Sequence, residues 1–489
     1  MKDLILRANF LWLENCQWDH KDLSLKIKHL EISSCPEKRF IVNISELNSL
    51  QTKHVFSYLI TLKLREMNCL EQVFQDSSNS FSLPMLQELC IAWCPELRTC
   101  IFTHTTVTSL PKLRKLNIRY CKKVKWLFPY SRVCHCPSLE KWRIHDCSEL
   151  ERPIGGDGDE DIAHDDQSQR QGESLYDMQD FLHGNESERV QCFNQLPDQK
   201  PLTPFLNLKR VKISLCERMK GIFEVQVREA QDPNLRLNSE LCKLRLQELP
   251  ELEYIWKGPT QIVSLHRLEV VLLDVCPRLK SVFSLAILTS FLELRTLEVV
   301  NCKEWERLFC EESLKNLSYN VCFPKLKAIL INYCNTVKRL FSYSLASLCP
   351  PLEVLNIKDW CELDMLVDGD SDEEAAIGDQ LPLLQLEQLY LVDLPKLREI
   401  FRGEFEYKLE SLHDLHKNEN TRVGAVDSEL CLMELRRLPE LEFIWNVPTQ
   451  IISLHRLEQV RLVSCSRLKS IFTLATISIL PELRTLEVR

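Results

Sequence analysis

The amino-acid sequence repeats one leucine pattern along its whole length. The pattern L-x-x-L-x-L-x-x-C-x-x-L-x-x-(I/L)-F fits LRKLNIRYCKKVKWLF from Leu113 and, with valine for some leucines, LEVVLLDVCPRLKSVF from Leu268. Further copies begin at Leu86, Leu139, Leu208, Leu294, Leu326, Leu352, Leu386 and Leu457. Weaker copies begin at Ile27, Leu59, Leu241 and Leu430, and a last copy begins at Leu483 and stops inside the pattern at Arg489. Such a repeat limits the chain to architectures that stack one unit on the next.

The spacing of the copies indicates the leucine-rich-repeat class. Cys94 and Cys121 are 27 residues apart, and Cys121 and Cys147 are 26 apart, within the spacing typical of that class. Alternating leucines point to one side of a short strand, and a single repeat cannot bury them without its neighbours. We therefore predict an α/β fold, a leucine-rich-repeat solenoid (horseshoe) with a parallel β-sheet on its concave face. The convex side should carry short helical or irregular segments, and residues 340–355 are predicted to form such a helix, ending at a proline.

Nine cysteines directly follow predicted strands, where a small, weakly polar side chain suits a packed interior. They are Cys35, Cys94, Cys121, Cys147, Cys216, Cys276, Cys302, Cys334 and Cys465. The first residues, MKDLILRANFLWLENC, carry acidic groups and no small-residue cleavage site, and no uncharged run reaches the roughly 20 residues that a membrane span needs. We therefore expect reduced thiols, no transmembrane segment and a cytoplasmic location.

The net charge of −9 lies in one segment of the chain. Residues 151–200 hold 13 acidic and 4 basic residues. We predict an N-terminal repeat block at 1–150, an acidic, disordered insertion at 151–203 and a C-terminal repeat block at 204–489 that is truncated in its last repeat. The acidic balance, with a pI of about 5.8, argues against nucleic acid as a partner.

Several segments resemble a known family. IKHLEISSCPEKRFIV at 27–42, VFSYLITLKLREMNCLEQVF at 55–74 and LPELEYIW at 249–256 are similar to the repeat region of plant intracellular immune receptors, the coiled-coil class of nucleotide-binding leucine-rich-repeat disease resistance proteins. The resemblance implies a ligand-sensing region that docks on a nucleotide-binding switch domain, in cis or in trans. The family's G-x-x-x-x-G-K-(S/T) phosphate loop does not occur in this sequence. We therefore expect no nucleotide cofactor on this chain.

Three segments of the chain are weak candidates for a nucleotide-binding or metal-binding site, and each fits a structural role better. GGDG at 155–158 does not open a helix after a strand, as a dinucleotide loop would. The acidic loop at 368–379 has Glu373 where a calcium loop needs glycine. Cys134, His135 and Cys136, taken with His145 and Cys147, match no zinc-ligand spacing. We predict no catalytic residue, no metal site, no cofactor and no enzymatic activity.

An internal duplication locates the candidate binding surface. Residues 239–299 and 428–488 align without gaps, and 39 of their 61 positions are identical. Eight positions predicted to point outward from two strands all differ. Lys243, Arg245, Gln247, Glu248, Val270, Leu272, Asp274 and Val275 correspond to Leu432, Glu434, Arg436, Arg437, Gln459, Arg461, Val463 and Ser464. Either these exposed sites have drifted, or a binding surface has diversified while other exposed residues stayed unchanged.

The predicted concave face also carries a basic patch beside an apolar one. Eight basic side chains oppose only Asp146 and Glu248; they are Lys115, Arg119, Lys141, Arg143, Arg210, Lys212, Lys243 and Arg245. Such a surface is typical of protein interfaces. We predict a protein-recognition module that binds a pathogen effector or a guarded host protein there. The alternative is a non-immune leucine-rich-repeat scaffold, such as a ubiquitin-ligase substrate adaptor.

Overall fold

The computed structural model describes most of the repeats and the turns between them. The described residues are 9–17, 26–43, 56–75, 81–98, 107–129, 136–155, 207–224, 237–257, 263–280, 291–304, 323–334, 338–342, 352–368, 385–402, 426–445, 452–469 and 480–489. The chain divides into two compact units. The first comprises Met1–Leu139, Cys147–Phe205 and Phe223–Leu235, and the second comprises Glu140–Asp146, Leu206–Ile222 and Arg236–Arg489.

Each unit contains a ladder of parallel strands, one strand from each repeat. In the first unit the strands are β1 (Phe10–Glu14), β2 (His29–Ser33), β3 (Thr61–Arg65), β4 (Glu88–Ala92) and β5 (Lys115–Arg119). In the second unit they are β6 (Lys141–His145), β7 (Arg210–Ser214), β8 (Lys243–Gln247), β9 (Val270–Asp274), β10 (Thr296–Val300), β11 (Ala328–Asn332), β12 (Val354–Lys358), β13 (Gln388–Val392), β14 (Leu432–Arg436), β15 (Gln459–Val463) and β16 (Thr485–Val488). Within each unit consecutive strands pair in parallel without a register shift, as in Lys243↔Val270 and Gln247↔Asp274. Equivalent positions therefore stack on one another.

Short strands form the second side of the repeats. Paired strands are Val42–Asn43 with Phe74–Gln75, Phe81–Ser82 with Val107–Ser109, Phe128–Pro129 with Ile154–Gly155, Leu237–Asn238 with Val263–Ser264, and Val426–Asp427 with Ile452–Ser453. Arg339–Ser342, Met365–Asp368, Glu399–Arg402 and Phe443–Trp445 form a four-stranded parallel sheet. Two further strands are Gly221–Glu224 and Tyr254–Lys257.

The helical part of our prediction is not seen in the described residues, which contain strands and turns and no helix. The predicted helix at 340–355 begins inside the strand Arg339–Ser342, and its residues 343–351 lie outside the described part of the chain. In several described repeats the apolar ending instead pairs with the ending of the next repeat, as Phe341 does with Val367 and Val367 with Phe401. This pairing satisfies backbone groups between repeats, where a helix would satisfy them locally.

The first residues of the predicted insertion at 151–203 lie in described repeat structure. Ile154 and Gly155 pair with Phe128 and Pro129, so described repeat structure continues to Gly155. Residues 156–200, and the acidic loop at 369–379, lie outside the described residues. Of that loop only Asp368 is described, at the end of the strand Met365–Asp368.

The core lies between the ladder and the short strands. Along β8 the inward residues Leu244 and Leu246 are buried and the outward residues Lys243 and Arg245 are exposed, as the period-two leucine pattern predicts. Eight of the nine cysteines that follow strands are buried and Cys465 is half-buried. The Cys216 thiol donates a hydrogen bond to the Ser214 carbonyl at 3.4 Å, and desolvation raises the pKa of Cys334 to about 12. These thiols therefore act as small apolar side chains, and the described cysteines are all free.

A left-handed residue ends every strand from β1 to β15. The residue after each strand has φ between 46° and 59°, and none of these residues is glycine. In this conformation the amide of Glu248 donates to the Asp274 carbonyl at 2.8 Å, and that of Asn301 donates to Asn332 at 2.8 Å. The turn thus ties each strand end to the end of the next strand, at the steric cost that L-residues bear in this region.

Burial of the stacked leucines should dominate stability, and the duplication provides a matched pair that tests it. Leu297 in β10 is 0% exposed, whereas its counterpart Leu486 in the terminal strand β16 is 55% exposed. Leu297→Ala should lower the free energy of unfolding by about 2–5 kcal/mol because it leaves a cavity between two repeats. Leu486→Ala should cost well under half of that amount. Chemical unfolding followed by circular dichroism measures both, and equal losses would contradict this account of the core.

The effect of the left-handed backbone at the strand ends on stability should be measurable separately from the effect of core packing. Val275 is β-branched and has φ 53°, a conformation that such residues rarely adopt. Val275→Asn should raise the free energy of unfolding by about 1 kcal/mol, since asparagine tolerates the left-handed region. The reverse change at the equivalent turn of the next repeat, Asn301→Val (φ 55°), should lower it by a similar amount. Shifts of the unfolding midpoint in the same direction for both variants would show that the turn conformation is not the cause.

Candidate functional site

In each unit, the outward side chains of the strand ladder form what we call the strand face: the first and third residues of each strand, and the fifth where the strand has one. They lie on the side of the sheet opposite the leucine core, because strand side chains alternate between the two sides of a sheet. Eighteen of the predicted site residues lie on it. They are Lys115 and Arg119 on β5, Lys141 and Arg143 on β6, Arg210 and Lys212 on β7, Lys243, Arg245 and Gln247 on β8, Val270, Leu272 and Asp274 on β9, Leu432, Glu434 and Arg436 on β14, and Gln459, Arg461 and Val463 on β15.

The other four predicted site residues are not strand residues. Glu248, Val275, Arg437 and Ser464 occupy the left-handed turn that follows each strand. The strand stops before them because their amides must turn towards the next repeat. Arg437 hydrogen-bonds the carboxylate of the equivalent turn residue, Asp393, and this lowers the pKa of the Asp393 carboxyl.

Six basic residues on three consecutive strands form what we call the cationic cluster: Lys141, Arg143, Arg210, Lys212, Lys243 and Arg245. The register places Lys141 beside Arg210 and Arg210 beside Lys243 in one row. It places Arg143, Lys212 and Arg245 side by side in a second row. Neighbouring strands lie about 4.8 Å apart, and like charges directly opposite each other destabilise a sheet. The first and third positions of β6–β8 are thus all cationic.

The charges of this cluster are mostly uncompensated. Five members, all except half-buried Lys212, are exposed, and within the described ranges of the chain these five form no ion pair. Some other strand-face cations do have acidic partners: Lys63 and Arg65 both pair with Glu31, at 3.7 and 3.4 Å. The cluster is therefore a local departure from charge pairing.

Two residues of the basic patch predicted from the sequence, Lys115 and Arg119, have partners of their own. Lys115 and Arg119 lie in the first unit, whereas the cationic cluster lies in the second. The Lys115 ammonium pairs with Glu88 at 3.3 Å, and the Arg119 guanidinium donates to the Asn117 side-chain oxygen at 2.9 Å. These two residues already have partners, so we assign the uncompensated charge to the five exposed residues of the cationic cluster.

The two copies of the duplication have opposite electrostatics. In the second copy the Glu434 carboxylate pairs with Arg436 at 3.3 Å and with Arg461 at 3.4 Å, and Arg461 also approaches Glu487 at 3.7 Å. The Glu434 side chain is only 12% exposed. In the first copy the equivalent position is Arg245, next to the half-buried Leu272. One copy thus neutralises its own strand face, and the other leaves cations beside apolar side chains.

The exposed residues that do not change between the copies have a structural role. Arg267 pairs with Glu240 and Arg278 pairs with Glu251, and their counterparts make the same two pairs. The partners are 27 residues apart, one repeat length. Their constancy is thus explained by ion pairs between repeats and does not show that the changes on the strand face were selected. These ion pairs could have been found in the sequence, because the opposite charges lie one repeat length apart.

The candidates for metal chemistry gain no support. Among the described residues no three His, Cys, Asp or Glu side chains come together as a possible metal site. Burial raises the pKa of the Cys136 thiol to about 12, while Cys134 and His135, and GGDG beyond Gly155, lie outside the described residues. None of the described segments forms a helix with the length and apolar character needed to span a membrane.

The solved structures that match this chain resemble it only weakly. A leucine-rich repeat protein from Bacteroides ovatus is similar with 10% identity and a TM-score of 0.20, covering 89% of this chain and 86% of that chain. YopM from Yersinia enterocolitica is similar with 14% identity and a TM-score of 0.20, covering 99% and 93%. Scores of this size do not support an argument, so the fold rests on the leucine pattern and the strand ladders.

Sequence comparisons identify the family. The chain is similar to "Probable disease resistance protein At1g12290" of Arabidopsis thaliana, with 28% identity over 203 residues, which is 41% of this chain and 22% of that protein. The chain thus spans about a fifth of the length of this curated relative. The model of the family "Plant disease resistance protein RPS2-like, leucine-rich repeats" matches residues 21–122, 186–303, 310–416 and 403–489, the second match beginning inside the predicted insertion. These matches cover well over half of the chain, and the protein therefore belongs to the leucine-rich repeats of RPS2-like plant disease resistance proteins.

Proposed function

We propose that the chain is the protein-recognition part of a plant disease resistance protein and binds a pathogen effector or a guarded host protein on its strand face. The observation that carries the proposal is the cationic cluster on β6–β8, next to the half-buried Val270 and Leu272 of β9. Arginine beside apolar side chains is a common composition for the centre of a protein interface.

The like charges of the cluster repel one another and lower the stability of the fold, and this cost supports a binding role. A scaffold that served only its own stability would place an acid among these cations, as the duplicate does with Glu434. Ion pairs between exposed side chains contribute little each, but six cations in two rows repel one another at every contact. A partner with complementary groups would remove that repulsion on binding.

Family membership supplies the remaining parts of the proposal. The chain would also dock on a nucleotide-binding switch domain, in cis or in trans, and restrain it. We propose a cytoplasmic location and a role in binding rather than catalysis, because repeat modules of this family act through their surfaces. The partners are proteins rather than nucleic acids.

The strand face should be required for partner binding. A displayed library of plant and pathogen proteins is selected on the full chain, and the affinity of each binder is measured by interferometry. A face-swap variant carries the duplicate's residues at six positions: Lys243→Leu, Arg245→Glu, Gln247→Arg, Val270→Gln, Leu272→Arg and Asp274→Val. Binders should lose affinity for it by about tenfold or more, equivalent to about 1.4 kcal/mol. The duplicate already tolerates these residues, so the fold should persist.

A matched control separates the surface from general stability. Arg267→Gln with Arg278→Gln removes two exposed charges from the same repeats, outside the strand face. This variant should keep full affinity, and the melting temperature of both variants is recorded. Binders that tolerate the face swap but are lost with the control would place recognition elsewhere and refute the proposal.

A surface kept for binding at a cost in stability should become more stable when the repulsion is removed. Arg245→Glu, which copies Glu434, should raise the free energy of unfolding by roughly 0.2–1 kcal/mol because Lys212 is the adjacent neighbour. Glu434→Arg should lower it, since Arg436 and Arg461 would lose their shared partner. Chemical unfolding at low salt measures both. A destabilised Arg245→Glu variant would show that the cluster does not carry this cost.

A further inference from the structure

The dimensions of the cationic cluster restrict the ligand. Its three strands span about 10 Å, at about 4.8 Å between neighbours, and its two rows are about 6.6 Å apart, at about 3.3 Å per residue. Alternate side chains of an extended peptide have the same separation of about 6.6 Å. Carboxylates at every second residue of an extended segment would therefore meet both rows at once.

Two borders of the cluster are uncharged or apolar. The fifth positions of β6, β7 and β8 are His145, Ser214 and Gln247, and Gln247 donates to the Asp274 carboxylate at 3.4 Å. On the β9 side the rows continue as Val270 and Leu272. The positive region is thus a compact area with an apolar side.

A compact area favours protein over nucleic acid. A nucleic-acid backbone needs a basic track along several nucleotides, and single strands also need aromatic side chains on which bases stack. No Phe, Tyr or Trp lies among the described strand-face residues of β6–β9. Two or three carboxylates fill the cluster, and apolar groups beside them would reach β9.

The geometry points to a binding site on β6–β9 for an extended, acidic protein segment. Its alternate Glu or Asp side chains lie over the two cationic rows, and an adjacent apolar side chain contacts Val270 and Leu272. This inference rests on the proposed function and specifies the chemistry of the partner. The duplicate strands β14 and β15 do not bind such a segment, because Glu434 already occupies their arginines. Each exposed contact is weak, so binding depends on several at once and decreases as salt screens them.

The experiment uses a defined probe and the full chain. A fluorescein-labelled twelve-residue peptide of alternating Glu and Ser, followed by Leu-Val, is titrated with the protein at low salt, and fluorescence anisotropy is measured. A peptide with Gln in place of Glu controls for charge, and labelled oligothymidylate tests nucleic acid. The protein variants are Arg143→Gln with Arg245→Gln, the matched charge control Arg267→Gln with Arg278→Gln, and Arg461→Gln in the duplicate.

The inference predicts that only the Glu peptide binds and that Arg143→Gln with Arg245→Gln weakens it about tenfold or more, about 1.4 kcal/mol. The other two variants should bind like the parent chain. Binding should weaken strongly as the salt concentration rises from 0.05 to 0.5 M, because the Debye length at 0.5 M is only about 4 Å. No binding of the Glu peptide, equal losses in all variants, or cluster-dependent binding of oligothymidylate at equal affinity would each overturn it. The face-swap result with selected binders is independent, so the proposed function can stand when this inference fails.

Discussion

Parallel pairing without a register shift is the constraint on which the rest of the structure depends. Lys243 pairs with Val270, and Val270 pairs with Thr296. Each strand residue therefore lies about 4.8 Å from the residue at the equivalent position in the next repeat. Inside, this stacks leucine on leucine and thiol on thiol, and no repeat can bury these groups alone. Outside, it stacks charge on charge. The same geometry that makes the core uniform therefore makes the choice of each exposed residue matter to both neighbours.

The residue after each strand shows how the register is kept. A left-handed turn directs its amide to the carbonyl at the end of the next strand, as from Arg437 to Val463, and this bond recurs in repeat after repeat. With only 11 glycines in 489 residues, residues as unsuited to the conformation as Val275 and Tyr333 take it. Their strain must be offset by the hydrogen bond and by the leucines around it.

The leucine pattern predicts what faces inward and what faces outward, and it does so because period two leaves no alternative once one side is buried. It does not predict where the strand ends, so Glu248 and Arg437 looked like strand residues. Nor does it predict the short strands at the apolar ends of repeats, because a two-residue strand such as Phe128–Pro129 depends on a partner 26 residues away. The ion pairs between repeats could have been predicted from the sequence, because Glu240 and Arg267 are one repeat length apart. The division into two units could not be predicted in this way.

The stacked register also gives a criterion for recognising function in a repeat protein. Several exposed cations that flank the strands have an acid in the adjacent repeat, as Lys209 has in Glu140 at 3.2 Å and Lys396 in Glu362 at 2.7 Å. This is what a solenoid needs in order to place charge beside charge without repulsion. The duplicate strands follow the same rule through Glu434. On β6–β8 the rule holds just before the strands, where Glu140 meets Lys209, and fails on the strand face itself. Five exposed cations without an ion pair on three adjacent strands are not explained by a general shortage of acids, because Glu140 pairs with Lys209 right beside them. The failure of the rule leaves five exposed charges that no described residue of the chain pairs with, and that a partner with complementary groups would neutralise.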